Sequence, residues 1–401
     1  MSNFNQEQLE FIKSDVSDAT LVGIPGGGKS TCISEYGKDK YTRNILRTNE
    51  ILYLMFNKDA QLSLHKKLKP FLKKDTFVRT LDSITYKACK DNDLDKYIDK
   101  DFESFPDKSD YFAKKKWAFV QSIKYTPIEK IDIDYLKSIK LIIVDEAQDI
   151  NFEDYTIIEF LVKRLKCKLI YVGDGNQNIY SDMKDSTSRY MDNHIGNTFK
   201  LKLNYRSTNQ IVNFANYYRL EENEMISANN TDNDLPLYIT SESMNKTYAD
   251  ISQRIKTLVK NGYSFKDISI AVEKKVLGDE MKVVLEREEI IVVNRYSKDE
   301  SINKDGVRIY TYWKMKGLEN KVVILHNFGS WEVFDFSDYT WEPYDFELLT
   351  RIKYVGVTRA QEKLFIYYDR INFTSKRKPR RIQECEIIRN IPQTLYNREY
   401  L

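Results

Sequence analysis

The stretch "LVGIPGGGKST" (Leu21–Thr31) decides how the rest of the chain is read. An apolar run gives way to three consecutive glycines, Gly26, Gly27 and Gly28, and then a lysine. Glycine loses more backbone freedom on folding than any other residue, so three together need a reason. Gly23–Ser30 reads G-I-P-G-G-G-K-S, a complete G-x-x-x-x-G-K-[ST] phosphate loop set after a strand-like run and before a helical pattern. Gly23, Ile24, Pro25, Gly26, Gly27, Gly28, Lys29, Ser30 and Thr31 thus form a candidate nucleotide-binding loop. Its amides and the helix N-terminus behind it would cradle phosphates. Lys29 would reach the β- and γ-phosphates, and the Ser30 hydroxyl would ligate Mg²⁺. The plainer alternative is a glycine turn followed by a surface lysine.

Short apolar runs recur along the chain: Thr20–Ile24, Ile51–Phe56, Leu141–Glu146, Lys168–Asp174, Asp267–Glu273, Ile290–Val293, Val307–Trp313, Lys321–Asn327 and Lys363–Asp369. Each has the length of a strand buried on both faces. Helical patterns lie between many of them, as in "YADISQRIKTLVKNG", closed by Gly262. Strands alternating with helices predict parallel sheets and an α/β fold. Nine runs are many for one sheet, so two α/β domains are expected. Residues 183–200 read as irregular and polar and mark the boundary, giving domains 1–198 and 199–401.

Composition narrows the class. The chain has 401 residues, 41% hydrophobic and 31% charged, which suits a globular protein of two domains. No run of about 18 apolar residues occurs, so no membrane span or membrane partner is expected. "MSNFNQEQLEF" lacks the basic-then-apolar layout of a signal peptide. Cys32, Cys89, Cys167 and Cys385 have neither metal-ligand nor redox-pair spacing and read as reduced thiols of an intracellular protein. His65, His194 and His326 lie far apart, so no zinc site is expected. The net charge of +3 neither demands nor excludes nucleic acid. Basic clusters stand at His65–Lys74 and Ser375–Arg381; either alone reads as solvated surface. The abundance of Tyr, Lys, Asn and Ile fits AT-rich coding, as in some viruses and bacteria.

"LIIVDEAQD" (Leu141–Asp149) narrows the chemistry. Asp145 and Glu146 close an apolar strand, where open α/β sheets place their reactive groups. Asp145 suits a Mg²⁺ shell, and Glu146 suits orienting or deprotonating a water. In isolation the pair could equally be a helix cap.

Together with "VGDGNQNIY", "LNYRS", "KGLE" and "YVGVTRA", this segment resembles the UvrD/Rep-like superfamily 1 helicases. "LYLMFNKDAQ" places the resemblance nearest the branch that holds the F-box DNA helicase. The motifs run in the family's order from Phe4 to Ala360, so the resemblance covers nearly the whole chain. It implies two RecA-like P-loop NTPase domains, with Mg-ATP in the cleft between them and hydrolysis opening and closing that cleft. It also implies ATP-driven motion on single-stranded DNA and at duplex junctions, 3′→5′, by a monomeric core. An RNA-directed ATPase, or an ATP-gated nucleic-acid clamp without unwinding, stays open on the residues alone.

The resemblance also implies roles. Gln8, in "FNQEQLEFI", would hold the adenine edge, to which an amide offers both donor and acceptor. Gln177 would sense the γ-phosphate. Tyr205 would stack on adenine, and Arg206 would meet the γ-phosphate. "KGLE" would contribute Gly317 and Glu319 to nucleotide binding, with Glu319 on the ribose hydroxyl. Arg359 would act as an arginine finger, worth about 10³–10⁵ in rate. Phe56, Asn57, Thr80, Tyr180 and Trp313 are the candidate DNA contacts; Phe56 and Trp313 could instead be core packing.

Three positions depart from the family's pattern. Asp82 stands where a histidine is common, Ser181–Met183 replace a stacking tryptophan, and Trp313 replaces a histidine. Spacing adds one more expectation. The window from about 89 to 140 has room only for a small 1B-like helical piece such as "YFAKKKWAFVQSIKY". The 2B position is reduced to "SKDESINKDG" (Ser297–Gly306), so subdomain 2B is expected to be absent.

Overall fold

The computed structural model describes residues 4–56, 58–71, 77–97, 111–179, 191, 194–220, 224–228, 231, 233–294, 305–328, 343–373, 379–381 and 390–401. Asn57, Tyr180, Ser181–Met183, Cys385, residues 72–74 and 375–378 of the basic clusters, and most of Ser297–Gly306 lie outside the described residues. The chain divides into two compact units, Met1–Leu201 and Lys202–Leu401.

Unit 1 runs α1 (Gln6–Lys13), β1 (Ala19–Gly23), α2 (Lys29–Thr42), β2 (Ile51–Met55), α3 (Lys58–Leu68), β3 (Phe77–Thr80), α4 (Leu81–Asp91), α5 (Tyr111–Tyr125), β4 (Leu141–Val144), α6 (Phe152–Leu165), β5 (Lys168–Gly173) and β6 (Asn197–Leu201). Its six strands form one parallel sheet in the order β3-β2-β4-β5-β1-β6. Strand β4 shows why the apolar runs are continuous. Ile142 and Val144 enter one core cluster, while Leu141 and Ile143 enter another. Successive side chains alternate between the faces of a strand, so a sheet covered on both sides needs apolar residues at every position.

Unit 2 opens with a short parallel pair, β7 (Leu203–Asn204) and β8 (Ile226–Ser227), around the helix α7 (Asn209–Asn216). It continues through β9 (Leu237–Ser241), α8 (Met244–Lys260), β10 (Ile268–Val272), α9 (Lys275–Arg287), β11 (Val292–Asn294), β12 (Val307–Thr311), β13 (Asn320–Leu325), α10 (Pro343–Val357) and β14 (Ala360–Asp369). A small antiparallel pair, β15 (Ile371–Phe373) and β16 (Pro379–Arg381), and β17 (Asn397–Tyr400) complete the unit. The main sheet is parallel, in the order β11-β12-β10-β13-β14-β9-β17.

Each of the nine apolar runs overlaps a strand. Residues 183–200 need correction in part: Asn197–Leu201 is not irregular but adds to the sheet edge beside β1. Its first four residues are exposed or half-buried, so it lacks the apolar run of an inner strand. "YFAKKKWAFVQSIKY" forms the single helix α5, packed on α4 and α6. Strands β11 and β12 are sheet neighbours. The 12 residues between Asn294 and Val307 are far fewer than the roughly 40 an independent domain needs. Among the described residues no helix is long and apolar enough to cross a membrane.

Candidate nucleotide site and nucleic-acid contacts

The glycine loop leaves the C-terminal end of β1 and enters α2 at Lys29. Gly28 has φ +85°, a left-handed conformation that side chains rarely adopt. Its carbonyl accepts from the Thr31 and Cys32 amides, at 2.9 and 2.8 Å, which starts the helix. The Lys29 ammonium folds back over the loop and donates to the Gly23 carbonyl at 2.7 Å and the Ile24 carbonyl at 3.3 Å. Gly23 is required by this close approach. A Cβ there would lie 2.7 Å from Lys29 Cγ. Ser30 and Thr31 are half-buried in the first turn of α2.

Helix α1 brings Gln8 to the same loop. Asn5 and Gln8 form a reciprocal capping box: the Gln8 amide donates to Asn5 Oδ1 at 2.8 Å, and the Asn5 amide donates to Gln8 Oε1 at 3.2 Å. Gln8 Nε2 then donates to the Gly27 carbonyl at 3.2 Å. The other end of α1 is fixed to α2. Phe11 stacks on Tyr36 at 5.0 Å, and the buried Lys40 donates to the Ile12 carbonyl at 2.9 Å. The adenine-edge candidate is therefore carried by a helix packed against α2, the helix that follows the phosphate loop.

Asp145 and Glu146 end β4, whose neighbours are β2 and β5. Asp145 is 5% exposed and accepts from the Glu146 amide at 3.0 Å. Burial and the Glu146 charge push its carboxyl up to about 7, while the Lys29 charge acts the other way. Glu146 has φ +53°, a left-handed turn that costs a non-glycine residue about 1–2 kcal/mol. The donor set fits a Mg²⁺ ion. The Asp145 carboxylate and the Ser30 hydroxyl are hard oxygens of the kind Mg²⁺ takes, and the Lys29 charge felt by Asp145 puts the start of α2 within electrostatic reach of it. Among the described residues, no three His, Cys, Asp or Glu side chains could hold a metal by themselves. Gln177, 4% exposed, donates to Asp174 Oδ2 at 2.8 Å just past the end of β5.

In unit 2 the structure gathers Tyr205, Arg206, Gly317, Glu319 and Arg359 around the N-terminal ends of β13 and β14. Asn204 Oδ1 accepts from the amides of Arg206 and Ser207, both at 2.8 Å, which sets the turn that carries Tyr205. Tyr205 is 40% exposed. Arg206 Nε lies 2.6 Å from Glu319 Oε2, and Arg206 also donates to the Thr358 carbonyl at 3.2 Å. Gly317 turns with φ +78° into β13. Arg359 is among the largest fully buried side chains. Its guanidinium donates to the Val355 carbonyl at 3.0 Å, the Leu318 carbonyl at 3.2 Å and Thr358 Oγ1 at 3.1 Å.

Phe56 follows β2 and is 40% exposed. Thr80 caps α4, its hydroxyl accepting from the Ser83 amide at 3.3 Å. Trp313 is half-buried in the turn Tyr312–Met315. A cavity of about 150 Å³ reaches from Phe56 past Asp82 and Lys116 to Asp145 and Asp154. Lys116 lies 2.7 Å from Asp154 and 3.0 Å from Asp82. Burial would lower the Lys116 ammonium, but Asp154 and Asp82 outweigh it and raise it. The acid at position 82 is thus paired with an internal cation from α5. Nothing in "AKKKW" distinguishes this lysine from its neighbours, and sequence reading missed it. Gln148, inside "DEAQD", was missed as well. Cys32, Cys89 and Cys167 are buried thiols, pushed up to about 12 by burial.

The AAA domain family matches residues 8–182, and the UvrD-like helicase C-terminal domain family matches residues 199–295. Together the matches span about two thirds of the chain. A protein of Acanthamoeba polyphaga mimivirus, named as an ATP-dependent DNA helicase, is 26% identical over 54% of this chain and 30% of its own length. A Mycoplasma capricolum protein, named as a DNA helicase II homolog, is 31% identical over 37% of this chain and 22% of its own length. The ATP-dependent DNA helicase PcrA of Staphylococcus aureus is 40% identical over 20% of this chain and 12% of its own length. The chain thus matches less than a third of each of these relatives. Two parallel α/β units, one with a complete phosphate loop, fit two RecA-like domains, and the chain belongs to the UvrD-like superfamily 1 helicases.

Proposed function

We propose that the chain is an ATP-dependent DNA helicase or translocase that moves 3′→5′ on single-stranded DNA and separates strands at duplex junctions. The observation that carries this reading is the arrangement at the strand ends of unit 1. The Lys29 ammonium crosses the phosphate loop, and the Asp145–Glu146 pair closes β4 in the same sheet. The names of the relatives support DNA as the substrate.

In this reading Gly23–Thr31 bind the ATP phosphates, and Ser30 and Asp145 are the residues that would hold Mg²⁺. The ion would supply charge stabilisation at the phosphates. Glu146 orients the attacking water and accepts its proton. Gln8 reads the base once its amide exchanges the Gly27 carbonyl for adenine. Gln177 responds to the terminal phosphate. Residues 1–198 act as motor domain 1A and 199–401 as motor domain 2A. The second contributes Tyr205, Arg206, Gly317, Glu319 and Arg359 to turnover. Arg206 must exchange Glu319 for phosphate, and Arg359 must exchange its carbonyl partners, so each trades one set of charge-assisted bonds for another. Phe56, Thr80 and Trp313, with Asn57 and Tyr180, serve the nucleic acid.

Strand displacement on tailed duplexes tests the proposal. ATP-dependent release from 3′-tailed and not 5′-tailed duplex is expected. ATP turnover stimulated by single-stranded RNA but not DNA would overturn the choice of substrate. Binding without release on either tail would favour a clamp.

A further inference from the structure

We infer that Gln148 is a positioning residue that fixes the Glu146 carboxylate and joins it to the turn carrying Gln177. This rests on the phosphate-loop reading of the site and deepens it. Gln148 is fully buried just past the end of β4. Its Nε2 donates to Glu146 Oε2 at 2.5 Å, and its Oε1 accepts from the Asp174 amide at 3.0 Å. Asp174 passes the link on. Its Oδ1 accepts from the Asn176 amide at 3.1 Å, and its Oδ2 accepts from Gln177 Nε2 at 2.8 Å. An unbroken hydrogen-bonded path therefore leads from the carboxylate at the end of β4 to the amide past the end of β5.

The backbone is shaped around that path. A Cβ on Gly173 would lie 2.3 Å from Gln148 Oε1, so only glycine leaves room for the bridging amide. Glu146 occupies a left-handed turn that its own preference does not support, and a neighbouring donor helps hold it there. A primary amide suits this place because it donates from one end and accepts at the other. An ionised carboxylate could keep the bond from Asp174 but could not donate to Glu146, and would set a like charge against it. Movement of Gln177 would thus reach Glu146 through Asp174 and Gln148.

Two substitutions separate the bonds. Gln148→Ala removes both, while Gln148→Glu keeps the acceptor for Asp174 and removes the donor to Glu146. Hydrogen exchange of residues 174–178 in the full chain requires no turnover. Gln148→Ala should raise it about tenfold, the loss of one buried hydrogen bond, and Gln148→Glu should leave it near wild type. Unchanged exchange in Gln148→Ala would overturn the bridge. In ATP turnover both variants should fall about tenfold to a hundredfold, with ATP affinity within about threefold of wild type. In a Glu146→Gln background, adding Gln148→Ala should cost nothing further. A full additional loss there, or equal losses in affinity and rate, would overturn the positioning role. A wild-type protein that turns over no ATP would defeat the ATPase reading alone, and the exchange measurement would still decide the bridge.

Discussion

In unit 1 the cation nearest the glycine loop, Lys29, is half-buried and held by two carbonyls of its own loop. In unit 2 Arg359 is enclosed and bonded to Val355, Leu318 and Thr358, while Arg206 pairs with Glu319. Both regions carry the cations that a phosphate site requires. One holds its cation against the loop that would receive the ligand. The other has built its cations into the fold. A motif therefore specifies which chemistry a position offers, while packing specifies what must be released before that chemistry is used.

The largest effect is expected at Lys29. Lys29→Ala should abolish ATP turnover, because the loop loses its preorganised charge partner, with an unchanged melting temperature. Turnover within a few-fold of wild type would remove the loop from the active site.

Arg359→Ala puts the contrast at risk directly. As a finger, the side chain should cost about 10³-fold or more in turnover with little loss of ATP affinity. As a built-in clamp, its removal strands buried carbonyls and should cost about 1–3 kcal/mol. A melting temperature lower by several degrees, together with the rate loss, fits both roles acting in one residue. A stability loss without a specific rate loss would make Arg359 structural only.

Much of the fold was legible in the chain, and the limits of that reading have physical causes. The nine strand-bearing runs were readable because each strand is apolar on both faces. Strands β6 and β17 escaped notice because edge strands expose one side and carry polar residues such as Asn197 and Glu399. Strand β9 is buried, yet its Thr240 and Ser241 break the apolar run. The placement of the glycine loop between β1 and α2, and of Asp145 and Glu146 at a strand end, could be read because both follow from local spacing. The burial of Arg359 and the pairing of Lys116 with Asp82 and Asp154 could not, because both depend on distant elements.

Gly23→Ala sharpens the account of unit 1. The added methyl would meet Lys29 Cγ at 2.7 Å and only then Leu201 Cδ1 of β6 at 3.3 Å, so turnover should fall about tenfold with stability within about 1 kcal/mol of wild type. Rates and melts show whether the lysine's path matters. An unchanged rate would mean that this path across Gly23 is dispensable.

The smallest effect is expected at Asp82→Asn. The carboxylate is partly exposed and Lys116 keeps Asp154, so stability should change by less than about 1 kcal/mol. Removing an acid near Phe56 should tighten single-stranded DNA binding a few-fold at low salt, with the gain fading as salt rises. Fluorescence anisotropy across a salt series reads this. Weaker binding would mean that Asp82 holds Lys116 in a position the nucleic acid needs.

The most direct test of the central claim is steady-state ATP hydrolysis by the full chain, titrated with single-stranded DNA in parallel for wild type and Lys29→Ala. Turnover that rises at least about tenfold with DNA in the wild type, and is lost in Lys29→Ala, is the predicted result. Wild-type turnover that ignores DNA, or survives in Lys29→Ala, would contradict a DNA-driven motor built on this phosphate loop.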